Sequence, residues 1–178
     1  MAIITETKRL ILREIELTDD QGMFDLDSDQ DVHQYLAEPV VTNIEESREK
    51  IKNIRNQYIT QRVGRWALID KSTNQFLGWA GLKIEEPRNH HPERYYDVGY
   101  RLIKKFWGKG FATEAAKASI IYGFEKLNLT DIYADADTNN LASKRILEKI
   151  GLKYIQSFND DGFTTDWYKI SNPEKLNN

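Results

Sequence analysis

The sequence predicts an α/β fold in which about seven strands form one layer and about four helices pack on it. Three observations carry this expectation. Val98, Tyr100 and Leu102 alternate as a strand and lead through Gly108 and Gly110 straight into an alanine-rich helix. Stretches with strand alternation and stretches with helical spacing interleave along the rest of the chain. The composition, 40% apolar and 30% charged with four tryptophans and nine tyrosines, suits a packed core under a charged surface.

Taken in order, residues 9–15 read as a strand. Thr18 or Asp19 then caps a short helix. Thr42 and Glu45 have the spacing of a capping box for a second helix, where Ile44, Ile51, Ile54 and Tyr58 recur at helical intervals. Residues 66–70 and 76–84 form a hairpin around the polar turn 71–75, and 94–102 is the next strand. The helix that starts near Gly110 ends at about Asn128. Residues 132–137, 152–157 and 163–170 supply the remaining strands. Between the first two of these lies a helix of about three turns. Asn139 or Asn140 caps it, Leu141, Ile146, Leu147 and Ile150 give it apolar content, and Gly151 closes it in the left-handed conformation. Residues 1–178 read as a single domain with a polar tail at 171–178.

Several classes of function are excluded early. The chain has no cysteine, so disulfides, thiolate metal sites and a cysteine acyl-enzyme are absent. With 25 basic and 28 acidic residues its formal charge is −3, which argues against bulk nucleic-acid binding. No apolar run approaches the roughly 20 residues of a membrane span. The opening residues carry no export signal, so a cytoplasmic location is expected.

The loop around Gly108 and Gly110 has the properties of an anion site. Glycines permit close backbone approach, the first amides of the following helix lack intrahelical acceptors, and Lys104, Lys105 and Lys109 add positive charge. The Walker pattern is absent, and Thr113 stands where a dinucleotide fingerprint needs glycine or alanine. The alternative is an ordinary tight turn between strand and helix.

A second motif lies at Asn140 and Ser143, which share a helix face with Leu147. Together the two stretches resemble the acetyl-coenzyme A motifs of the GNAT superfamily of N-acetyltransferases. Lys105, Gly108 and Gly110 are similar to its Q/R-x-x-G-x-G/A loop, and Asn140 and Ser143 to its N-x-x-S helix. The opening strand resembles the branch that acetylates ribosomal-protein N termini, so the likeness spans nearly the whole chain. It implies a mixed, mostly antiparallel sheet splayed at an acetyl-coenzyme A cleft. It also implies a cofactor site built from Tyr100, Arg101, Leu102, Lys105, Phe106, Trp107, Gly108, Lys109, Gly110, Phe111, Ala112, Asn140 and Ser143. The pantetheine arm would run beside residues 98–102, the pyrophosphate would lie over residues 107–112, and an amide near Tyr100 or Arg101 would polarise the thioester.

Two departures from the family pattern stand out. Lys105 replaces glutamine or arginine and so lacks a planar fork. Leu147 replaces a tyrosine proposed as general acid, which makes Ser143 the nearest motif hydroxyl. Its simpler role is a helix-start serine bonded to backbone.

The implied reaction transfers acetyl from acetyl-coenzyme A directly to a primary amine, preferably a protein or peptide α-amine, otherwise a small-molecule amine. Asp97, on the cofactor strand, is the first candidate for general base, with Glu85, Glu86 and Glu93 as looser options; each is otherwise a solvated carboxylate. Glu114 is expected to favour the helix dipole or tie down a neighbour. His90 and His91 are too few for a metal site and shape the acceptor cleft instead. Trp66, Trp79 and Trp107 line the cleft or fill the core. Asp135 and Asp137 attract a cationic amine or simply face outward. The non-enzymatic alternative is a coenzyme A-binding regulatory module, and exposed sheet edges allow a homodimer.

Overall fold

A computed structural model describes residues 2–88, 90–160 and 162–175. Eight strands form one sheet in the order β1-β2-β3-β4-β5-β6-β8-β7. The strands are β1 (Ile3–Glu6), β2 (Leu10–Glu14), β3 (Arg65–Asp70), β4 (Phe76–Glu85), β5 (Tyr95–Leu102), β6 (Asp131–Asp137), β7 (Lys153–Asp160) and β8 (Phe163–Ser171). Every neighbouring pair is antiparallel except β5 and β6. The helices are α1 (Asp20–Asp27), α2 (Ile44–Thr60), α3 (Phe111–Glu125) and α4 (Leu141–Lys149), with two short 3-10 turns at Leu17–Asp19 and Lys104–Phe106.

The mixed, mostly antiparallel sheet matches the expected class, with one strand more than the sequence predicts. That strand, β1, is a four-residue edge with no fully buried side chain, paired only to β2 across an irregular register. Its apolar alternation is too short to stand out.

The second helix starts one residue later than the predicted box. Asn43 is the N-cap and its Oδ1 accepts the Glu46 amide at 3.2 Å, while the Glu46 carboxylate accepts the Thr42 hydroxyl at 2.8 Å. Asparagine caps at least as well as threonine, so Glu46 takes the place predicted for Glu45. At the other end of the chain, Ser171 closes β8 and Asn172 is buried, its side chain donating to the Leu129 carbonyl at 3.2 Å. Ser171 therefore belongs to the sheet and Asn172 is buried just beyond its end; residues 176–178 of the predicted tail lie outside the described residues.

Two apolar layers hold the sheet. One face, with Val98, Leu102, Ile132, Ala134 and Ala136, packs on Ala115, Ala116 and Ile120 of α3 and Leu147 of α4. Trp66 belongs to this layer, edge-on to Tyr122 at 5.1 Å. The other face carries Ala67 and Ile69 under Met23, Leu26 and Ile51 of α1 and α2. The positive φ of Asn128, 53°, turns the chain out of α3 where the sequence places its end.

Candidate active site

Between β5 and β6 the sheet is barely joined. Asp97 and Tyr133 form the one register pair, although both strands continue well beyond it, to Leu102 and Asp137. The Ile103 amide donates to Leu77 of β4, and antiparallel alternation then turns the amides of Arg101 and Gly99 toward β4. Those of Val98, Tyr100 and Leu102 face the gap. Tyr100, and not Arg101, therefore presents the amide that the sequence assigned to either.

A cavity of about 440 Å³ follows this gap from Tyr100 and Leu102 to the glycine loop, lined by Phe106, Trp107, Gly108, Gly110, Phe111 and Ala112. The loop is built for a close ligand. Gly108 and Gly110 have φ of +71° and +79°, and a methyl group at Gly108 would meet no protein atom within 4 Å. Gly110 is also the N-cap of α3 and has no side chain to satisfy the first amides, which open on the cavity. Trp107 is fixed by its indole N–H, which donates to the Leu102 carbonyl at 2.8 Å.

The charged members of the predicted site are arranged differently. Lys105 and Lys109 do not line this cavity; their ammonium groups lie 4.9 and 5.5 Å from the Phe106 ring centre. Lys104 pairs with Asp31. The Arg101 guanidinium turns away from the loop to the buried Asp27 carboxylate at 2.9 Å and to Glu38 at 2.8 Å. It thereby anchors the 28–43 segment, whose Tyr35 and Leu36 cover the gap.

A second cavity, about 530 Å³, opens from Trp79, Lys83 and Glu85 and reaches Asp97, Asp135 and Asp137. It shares Tyr35, Leu36, Tyr100, Arg101, Asn140 and Ser143 with the first, so the two meet at these residues. Asn140 caps α4, its Oδ1 accepting the Ser143 amide at 3.1 Å. The Tyr100 hydroxyl lies 2.9 Å from Ser143 Oγ and donates to the Ser143 carbonyl at 3.1 Å. Leu147, one turn later, is buried and offers no donor.

Asp97 is almost fully buried. Burial pushes its carboxyl up to about 7; Arg65, which pairs with it, pulls the other way, and the Asp135 charge adds to the rise. Arg65 is itself oriented by the carbonyls of Gly81 and Asp97, at 2.5 and 2.9 Å, and lies over Trp79. Asp135 projects from β6 on the same face. It is open to water but crowded by the cavity walls, and this desolvation raises its carboxyl, opposed by Arg88. Of the looser options, Glu85 is tied to Lys83 at 2.6 Å and Arg88 at 3.2 Å, and Glu86 pairs outside the cavity with Arg94.

Sequence alone leaves Asp135 open between attracting a cationic amine and facing outward from its strand. The available signal was parity: Ala134 and Ala136 take the core face of β6, so Asp135 and Asp137 share the face of Asp97. His91 packs edge-on with Tyr95, Tyr133 and Trp167, and His90 stacks on Phe158 at 3.8 Å. Among the described residues no three acidic or histidine side chains cluster around a metal position. Nor is any described helix long and apolar enough to cross a membrane.

Comparison with known proteins agrees with this geometry. A family model described as an acetyltransferase (GNAT) domain matches residues 9–153. An uncharacterized N-acetyltransferase, p20 of Bacillus licheniformis, is 32% identical over 163 residues, covering 92% of this chain and 86% of its own. The crystal structure of a GNAT-family acetyltransferase from Bacillus anthracis superposes with a TM-score of 0.79 at 26% identity, covering 96% of this chain and 98% of the other. RimL, a ribosomal L7/L12 α-N-protein acetyltransferase solved with coenzyme A, shares the fold at a TM-score of 0.79 and 17% identity, over 95% and 97% of the two chains.

Proposed function

The chain belongs to the GNAT acetyltransferase family and is an acetyl-coenzyme A-dependent N-acetyltransferase; from that premise we propose that it acetylates the α-amine of a peptide or protein N terminus by direct attack. The observation that carries this reading is the meeting of two cavities at Tyr100 and Ser143, one ending on a phosphate-type glycine loop and the other on buried Asp97. Acetyl-coenzyme A supplies the activated acetyl group. The residues of the first cavity fit it: open space over Gly108, uncapped amides at the start of α3, and the Tyr100 and Leu102 amides along the gap.

The acceptor is chosen by matching acidities. A base near 7 removes a proton from an α-amine of pKa about 7.7 to 8.0 at a cost of about 1 kcal/mol, but from an alkylammonium of pKa about 10.4 at about 4 to 5 kcal/mol. Asp97 is therefore matched to an α-amine. In this reading the incoming ammonium first gives one proton to Asp97, which releases it to water in the open cavity; the neutral nitrogen then bonds to the acetyl carbon, its second proton passes to Asp97, and sulfur departs with the electron pair of the broken carbon–sulfur bond. Asp135 and Glu85 give the incoming ammonium a negative wall.

The test is coenzyme A release across a panel of short peptides with free N termini, the same peptides blocked at the N terminus but carrying lysine, and linear polyamines. Turnover confined to free N termini is expected. Faster turnover of lysine side chains or polyamines would overturn the acceptor assignment, and no release above background would favour a regulatory binding module.

A further inference from the structure

Tyr100 lies three residues past the point where β5 and β6 part, and its hydroxyl crosses to α4. There it finds two acceptors on one residue, the Ser143 carbonyl at 3.1 Å and Ser143 Oγ at 2.9 Å. A phenol has a single proton. When it donates to the carbonyl, the Ser143 hydroxyl can donate back to the phenol oxygen, and no proton points into the cavities. When it donates to Ser143 Oγ instead, the serine proton is free to point to where the cavities join. An anion at that junction favours the second arrangement, because hydrogen bonds to charged groups are stronger by about a factor of two than neutral ones.

We propose that Tyr100 is a positioning residue that turns the Ser143 hydroxyl toward the coenzyme A sulfur, so that Ser143 donates a hydrogen bond to the thiolate as it departs. This rests on the acetyltransferase reading above. The carbon–sulfur bond breaks with its electron pair on sulfur, and the amine proton goes to Asp97. None passes through the Tyr100–Ser143 pair.

A hydrogen bond and not a proton transfer is required by the acidities. A thiol has pKa about 8.5 and a phenol about 10, so protonating the thiolate from tyrosine is unfavourable even before burial is considered. Burial raises the Tyr100 phenol further; the hydrogen bond to Ser143 opposes this, and the charges of Asp97 and Tyr168 add to it. A phenol so reluctant to ionise remains a donor throughout. Leu147 cannot substitute, and Asn140 is engaged in capping α4.

The test reads the thiol of bound coenzyme A directly, by its ultraviolet thiolate band in difference spectra against ligand-free protein across pH 6 to 10. Wild type should hold the bound thiol about one unit below free coenzyme A, the size expected of hydrogen bonds to a charged group. Tyr100→Phe should return about half of that shift, Ser143→Ala most of it, and the double variant should match Ser143→Ala. Tyr100→Phe keeps the ring that packs on the core, and thermal melts check that each variant is folded. An unchanged thiol in Tyr100→Phe, or an equal effect of that substitution with and without Ser143, overturns the proposal. Acetylation assays separate the two readings: normal thiol titration without acetyl transfer to any amine removes the acetylation reading alone, whereas transfer with an unresponsive thiol removes this one alone. Failure to bind coenzyme A overturns both.

Discussion

Asp97 and Tyr133 are the single register pair joining β5 to β6, and the buried carboxylate of Asp97 therefore sits at the closed end of the split in the sheet. In the proposed function this relationship lets one strand serve two ligands. On the side chains of one face β5 presents Asp97 to the acceptor cavity; along its free edge it presents the Tyr100 and Leu102 amides to the donor cavity. Full pairing of β6 with β5 would consume those amides and close both cavities.

Gly108 is expected to separate binding from stability. Replacing it by alanine strains a left-handed residue by about 1 to 2 kcal/mol and adds a methyl group at the lining of the first cavity with no protein atom within 4 Å. Gly162, at φ +88° in a distant hairpin, also has open space around it and is the control for strain alone. Both alanine variants should melt a few degrees early, but only Gly108→Ala should lose about tenfold or more in acetyl-coenzyme A affinity by calorimetry. Equal affinities in the two variants would detach Gly108 from the phosphate site.

Local chemistry makes the glycine-loop half of the candidate site legible in the sequence. Gly108, Gly110, Asn140 and Ser143 act through turns, caps and backbone amides that short stretches encode. The acceptor half depends on partners far apart in the chain. Arg65 and Asp97 lie 32 residues apart, and the Arg101–Asp27 pair 74, so neither pairing has a local signature. Arg101, which the resemblance places in the cofactor site, lines that cavity, but its charge is taken by Asp27 and Glu38, carboxylates on other elements. Lys105 and Lys109 show the converse, because a charge near a glycine loop in sequence need not face its cavity.

The pH dependence follows from Asp97. As general base it must be ionised, so kcat/KM should rise with pH to a plateau above about 7. Asp97→Asn should lose about 10²-fold or more and lose that acidic limb. For stability the sign is opposite. The folded carboxyl is raised above the unfolded value of about 3.9, so the folded state holds more protons and stability falls as pH rises through that window. Urea melts should show wild type losing stability relative to Asp97→Asn between pH 4 and pH 8. A constant difference would mean that Asp97 is ionised throughout.

Tyr58 should be a stability residue only. Its hydroxyl donates to the Arg65 carbonyl and accepts the Ile15 amide at 3.1 Å, joining α2 to β3 and to the chain just after β2. Tyr58→Phe removes the hydrogen bonds to these two backbone groups in a half-buried setting, at a cost of about 1 to 3 kcal/mol. Thermal unfolding should reveal that loss while acetyl-coenzyme A affinity changes less than about twofold. A large loss of affinity at unchanged stability would place Tyr58 in the site instead.

Glu114 joins the start of α3 to the opening of the sheet and, through Arg9, to the glycine loop. One carboxylate oxygen accepts the Thr7 hydroxyl at 2.5 Å and the Arg9 amide at 3.0 Å; the other accepts Arg9 Nε at 2.6 Å. Arg9 in turn donates to the Lys109 carbonyl at 2.8 Å and covers the Phe111 ring at 4.4 Å. Burial works to raise the Glu114 carboxyl, but the hydrogen bonds from Thr7 and Arg9 outweigh it and hold the group below its ordinary value. A depressed carboxyl stabilises the fold above the unfolded pKa of about 4.3, and that contribution is lost as pH falls through the lower folded value. Glu114→Gln should therefore cost about 1 kcal/mol near pH 7, a figure discounted for the partly exposed Arg9, and progressively less below pH 4. Because Arg9 loses its orienting partner, acetyl-coenzyme A affinity should fall severalfold in the same variant. Urea melts at pH 3.5 and 7 beside calorimetry test both parts. A stability loss that does not shrink in acid would show that shape, and not the charge of Glu114, makes the connection.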